Sequence, residues 1–157
     1  MSPASFMQTF LPHTGFHESA SCLDRARLGK QRVEVLQLLT ALSMKAEGIK
    51  SGWQNHPACL MWVGHRYALA AYGIAVCDEW ISRGYKDTLR PRLQSILKEL
   101  ESIGESLENP AWLGVHEFHA SHRARLLMKD PEHYGKFGWV EEPCGPEGYW
   151  WPTKNGY

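Results

Sequence analysis

Between Pro57 and Gly84 the residues Leu60, Val63, Tyr67, Ala70, Ile74, Cys77 and Ile81 recur at alternating steps of three and four. That period is the one a helix needs to bury one face. Trp62, Leu69, Val76 and Trp80 widen the apolar stripe, so the spacing predicts a helix at the centre of the molecule with neighbours on several sides. Pro57 suits a first helical turn, and Gly84 suits a stop. No segment alternates with period two over a useful length. The expected fold is therefore all-α, a compact helical bundle. With 157 residues the chain has room for a single domain over 1–157 and for a core that needs no staples.

Three further helices follow from the same pattern. The first is expected to start near Ser19 or Ser21, either of which can cap it, and to run to about Glu47, with Gly48 as the stop. Gly29 interrupts it, which implies a bend or a close approach to its backbone. A third helix is expected from about Pro91 to Ile103, and a fourth from about His116 to Lys129, ended by Asp130-Pro131. Residues 7–18 read as an extended lead-in to the first helix, after a short extension over 1–6. Residues 131–157 hold four prolines and five glycines, too many for regular structure, yet also seven aromatics. So much aromatic surface is costly to leave in water, so this irregular tail is expected to pack across the bundle or to await a ligand.

Composition excludes several classes. The 17 basic and 17 acidic residues cancel, which rules out a uniformly cationic coat but leaves local patches open. Cys22, Cys59, Cys77 and Cys144 form no CxxC pair and read as reduced thiols. The start of the chain lacks a basic and then apolar leader, and no stretch is apolar enough to span a bilayer. A cytoplasmic protein with no membrane partner is the expectation. Leu28-Gly29-Lys30-Gln31-Arg32 lacks the first glycine and the hydroxyl residue of a phosphate-binding loop, and no nucleophile elbow occurs.

Charge is nonetheless segregated. Arg25, Arg27, Lys30 and Arg32 stand against Asp24 alone, while Glu99, Glu101, Glu105 and Glu108 stand against Lys98. Arg123, Arg125 and Lys129 form a second basic group. A basic cluster beside aromatic side chains is what tracking phosphates and stacking bases requires, whereas a plain solvated helix face is the alternative. His116, His119 and His122 recur every third residue, a spacing that could place two of them on one metal. The cysteines offer no matching ligands, so polar lining of a cleft is the preferred reading and no metal is assigned.

Several stretches together resemble the pyrimidine-dimer DNA glycosylase family, as a divergent member. They are Met7-Gln8-Thr9-Phe10-Leu11, the run from Leu23 to Val33, Gly64-His65-Arg66-Tyr67, the run from Ser82 to Thr88, Ser121 to Leu126, and Tyr134 to Trp139. The resemblance implies an all-α protein that binds damaged duplex DNA and extrudes a base. It implies imine chemistry without metal or cofactor. An unprotonated amine attacks the sugar C1′, the base leaves, and β-elimination nicks the strand. In that family the amine is the N-terminal one and a first-helix glutamate assists. Here the matching start is Met7-Gln8, and the glutamate position falls on Arg27 or an adjacent basic residue.

Two function classes are therefore carried. One is a glycosylase and AP lyase excising a damaged or modified pyrimidine. The other is a catalytically inactive module that binds lesions or modified bases. For catalysis the candidates are Asp24 and Glu34 as acid or base and Lys30 as a Schiff-base amine. For nucleic-acid binding they are Arg25, Arg27, Gln31, Arg32, His56, His122, Arg123 and Trp139. The expected partner is DNA, acted on by a monomer.

Overall fold

A computed structural model describes residues 7–157; the expected extension over 1–6 lies outside the described residues. The chain folds into α1 (Phe16–Cys22), α2 (Arg25–Ala46), α3 (Pro57–Leu60), α4 (Arg66–Ser82), α5 (Arg90–Ser102), α6 (His116–Lys129) and α7 (Pro131–Tyr134). Short 3-10 turns follow at Gly135–Phe137, Pro146–Gly148 and Pro152–Asn155. No strand occurs among the described residues, and the fold is all-α.

Helix α4 is the hub, packed against α1, α2 and α5. At Gly73 a Cβ atom would stand 2.7 Å from Val35 Cγ1 on α2 and 3.0 Å from Leu93 Cδ1 on α5. The absence of a side chain there is what lets three helices meet. Leu69, Tyr72, Val76 and Cys77 are fully enclosed, whereas Val63 and Ile81 are 48% and 46% exposed. The three-and-four stripe thus marks the helix correctly, but the deepest face is the flank centred on Leu69, Tyr72 and Val76.

Two expected helices are broken. Pro57–Gly84 divides into α3 and α4, because residues 61–65 turn through Gly64 at φ +82°. The turn aims Trp62 inward, where it is wholly buried and its Nε1–H donates to Thr9 Oγ1 at 3.1 Å. Ser19–Glu47 likewise divides at Leu23, which is extended (φ −71°, ψ 139°) and fully buried. Neither Ser19 nor Ser21 caps α2; Asp24 does, accepting the Arg27 N–H at 3.3 Å. Gly29 reflects close approach: a Cβ there would lie 3.0 Å from the Trp80 ring.

Residues 7–11 run extended through the interior without any sheet to satisfy them, so side chains take that role. Gln31 Oε1 accepts from Phe10 N–H at 3.0 Å, and Gln31 Nε2 donates to Gln8 O at 2.6 Å. Leu11 N–H donates to His122 Nδ1 at 3.0 Å, while His119 Nδ1 lies 2.7 Å from Leu11 O. Because His119 Nε2 accepts from Gly114 N–H at 2.9 Å, its proton sits on Nδ1 and points at Leu11 O. The tail packs onto the bundle, with Tyr134 fully buried and Trp139, Trp150 and Trp151 against the core.

Candidate nucleic-acid interface and active site

Positions 27, 30, 31 and 34 are three or four residues apart and so share one face of α2. That face, from Ala26 to Glu34, lines a cavity of about 260 Å³. Phe10 of the extended segment and Lys129, the last residue of α6, complete the lining. The Lys129 ammonium stands 6.0 Å from the Phe10 ring centre. Three elements distant in sequence therefore converge on one concavity, with the Arg27 and Lys30 side chains on it.

Glu34 is the buried carboxyl of this cavity, 8% exposed. Burial pushes its pKa up to about 7, against the pull of the Gln8 backbone N–H and of Lys30 and Lys129. Its nearest side-chain donor is Gln31 Nε2 at 3.5 Å. Gln31 itself is 1% exposed and committed to the backbone of residues 8 and 10, with the Tyr72 hydroxyl 2.7 Å from its Oε1. Gln31 thus frames the cavity and is not a free contact for DNA.

Asp24 does not line the cavity. Burial raises its pKa, but hydrogen bonds from Tyr134 and Arg27 outweigh this and hold it below the usual carboxylate range. The Tyr134 hydroxyl donates to Asp24 Oδ1, and Arg27 Nη1 lies 3.1 Å from the same oxygen. Lys30 is solvent-exposed on the cavity rim, and Lys129 is half-buried. Burial, then Arg125, Arg27 and Lys30, lowers the Lys129 pKa, with Glu34 opposing. Tyr149 brings the tail to this region: burial pushes its hydroxyl up to about 12, opposed by Arg125, the Gln8 side chain and Arg27.

The remaining sequence candidates are dispersed. Arg32 pairs with Asp87 at 2.9 Å and lies over the Trp80 ring, locking α2 to the start of α5. Arg25 lies over Tyr85 at 5.0 Å on the same side. Arg123 is held by Glu141 at 3.0 Å and by Pro12 O at 2.8 Å. His56 caps α3 by accepting Ala58 N–H at 3.0 Å, and burial lowers its pKa. Trp139 stacks on Tyr134 and Phe137, and His122 is 1% exposed. None of these lines the cavity. His119 and His122 each spend Nδ1 on Leu11, and His119 spends Nε2 as well, so these two act as a clamp on the chain, while His116 is exposed.

Phe10, Ala26 and Lys129 are the lining residues that the sequence candidates did not include. Lys129 carried one faint signal, since it falls four positions after Arg125 on α6.

An all-α scaffold that sets a buried, near-neutral carboxyl among basic side chains has the make-up of a site for an anionic substrate. The family model described as pyrimidine dimer DNA glycosylase matches residues 7–93, more than half of the chain, and the protein belongs to that family. No curated protein and no solved structure matches the chain. The matched span holds every cavity residue except Lys129.

Proposed function

We propose that this DNA-repair glycosylase excises a damaged or modified pyrimidine from duplex DNA through an imine and then nicks the strand as an AP lyase. The observation that carries the reading is Glu34: a carboxyl with a pKa of about 7 inside a cavity bordered by Arg27, Lys30 and Lys129. Such a group is protonated often enough to protonate the sugar ring oxygen and ionised often enough to remove the C2′ proton afterwards. Between the two sequence candidates for acid and base, Glu34 is preferred, because Asp24 is engaged as a cap and held ionised. Arg27 and Lys30 would hold flanking phosphates. The chemistry asks for an uncharged amine, the role for which the sequence suggests Lys30.

The test is incubation with duplexes carrying a cyclobutane dimer, an abasic site or a modified pyrimidine, read for strand cleavage. Cleavage of any of them supports the enzyme. Salt-sensitive binding with no cleavage on all three marks the binding-only alternative.

A further inference from the structure

Among the described residues, two lysines border the cavity, and they differ in kind. Lys30 is exposed. Lys129 is half-buried at the C-terminal end of α6, and among the described residues it takes part in no ion pair or hydrogen bond. A lysine so placed usually finds a carboxylate; here the carboxyl that faces it is Glu34, 8% exposed, whose pKa burial pushes up to about 7. Beneath Lys129 lies the Phe10 ring, and around it stand Arg125 from its own helix and Arg27 and Lys30 from α2. Burial disfavours any charge on Lys129 and these cations disfavour a fourth positive one, against the weaker pull of the Phe10 ring face and of the α6 C-terminus. The unpartnered, half-buried amine is thus pushed toward its neutral, nucleophilic form.

We propose that Lys129 Nζ is the amine that forms the imine, with Glu34 as its proton partner. The inference rests on the glycosylase reading and names the atom that reading requires. In the excision step the Nζ lone pair forms a bond to C1′, and the C1′–N bond to the base breaks, its electron pair leaving with the base. The proton lost by Nζ goes to the departing base. The Glu34 carboxylic acid protonates the ring oxygen, the C1′–O4′ bond opens, and nitrogen donates its pair to give the protonated imine. Glu34, now a carboxylate, takes the C2′ proton; the C3′–O bond breaks, and the phosphate-bearing strand leaves with that electron pair. Water hydrolyses the imine and returns the free lysine. Every atom comes from protein, DNA or water.

The experiment uses the full chain and a duplex with one abasic site, reduced with borohydride, with the cross-linked peptide located by mass spectrometry. The expected adduct lies on Lys129. Lys129→Arg keeps the positive charge and cannot form an imine, so it should lose trapping by about 100-fold or more while still binding the duplex. Lys129→Ala should lose trapping to the same extent, with folding checked by thermal melting. Lys30→Ala should bind more weakly yet leave the adduct on Lys129. An adduct on the N-terminal amine or on Lys30, or trapping undiminished in Lys129→Arg, overturns the assignment while leaving the glycosylase reading standing. If the wild-type protein binds the abasic duplex and gives no adduct, the imine reading falls, and the Lys129 assignment with it.

Discussion

Gln31 and Glu34 stand three positions apart on one face of α2, both with amide or carboxyl groups pointing at the same extended segment. Their fates differ because Gln31 satisfies every polar group it presents, whereas an ionised Glu34 would lose more to burial than the Gln8 N–H, Lys30 and Lys129 return. Folding therefore favours the protonated form of Glu34. In the unfolded chain this group titrates near 4.5, and in the folded protein near 7. Its contribution to stability is complete below the lower value and is lost as pH rises through the higher one. Glu34→Gln removes that loss. Its stability relative to wild type should rise between pH 4.5 and 7 and level off above, by about 3 kcal/mol at most. Urea unfolding at pH 5 and pH 8 measures it. The same variant should cut strand cleavage by about 100-fold or more without weakening DNA binding. His122 behaves in the opposite sense. Burial, with a smaller push from His119, lowers its pKa to about 3, so its stabilisation is present above 6.5 and lost as pH falls toward 3. The slope should be about 1.4 kcal/mol per pH unit over that window, and His122→Ala should flatten the curve while costing about 3 kcal/mol at pH 7.

At the level of elements, the helices were legible and their breaks were not. Helix α6 runs over His116–Lys129 as its pattern and the following Asp130-Pro131 dictate. The stripe in 57–84 was also visible, but apolar spacing cannot register that Trp62 must turn inward to reach Thr9, which is a long-range demand. The break at Leu23 has the same origin: Arg83 Nη2 donates to Leu23 O at 2.8 Å, and the Asp24 cap is tied to Tyr134 far along the chain. At Gly29 the sequence leaves a bend or a close approach open and the structure shows the close approach, whereas Gly73 carries no signal because it sits inside an otherwise strong helical pattern. Gly73→Ala tests whether packing or propensity decides there. Alanine adds about 1 kcal/mol of helix propensity, yet its methyl would overlap Val35 and Leu93. Overpacking of this kind costs about 1–3 kcal/mol. Both obstacles are methyl groups of enclosed residues on different helices, so neither can yield without moving α2 or α5. A net loss of roughly 1 kcal/mol is expected, seen as a fall in Tm on the order of 3 °C.

Across the whole molecule the charges cancel, yet ion pairs divide them unevenly. Arg27, Arg32, Arg66, Arg83, Arg90 and Arg123 each face a carboxylate that ties one part of the fold to another or braces a helix, Arg27 through Asp24 while still lining the cavity. Sequence reasoning saw the basic cluster of 25–32 but had no means of telling the structural arginine from the one available to a ligand. That distinction depends on Asp87, Trp80 and Tyr85, which only the folded chain brings near. The same is true of Lys129, whose place in the cavity follows from where the end of α6 comes to lie beside the cavity face of α2. Three basic residues border the cavity, Arg27, Lys30 and Lys129, and with Lys129 serving as the amine the first two set the electrostatic footprint. If Arg27 and Lys30 neutralise phosphates, log affinity should fall against log salt with a slope of about −1.8, or roughly 12-fold between 50 and 200 mM. Lys30→Ala should weaken binding at low salt and shallow the slope by about 1, because an exposed rim lysine acts as a phosphate contact. Arg32→Ala should leave the slope unchanged and instead lower Tm, since it strips the partner from a buried Asp87 carboxylate. Fluorescence anisotropy titrations across salt, run beside thermal melts, separate the two. A slope that responds to Arg32 and not to Lys30 would place the DNA on the opposite face of α2, away from Glu34.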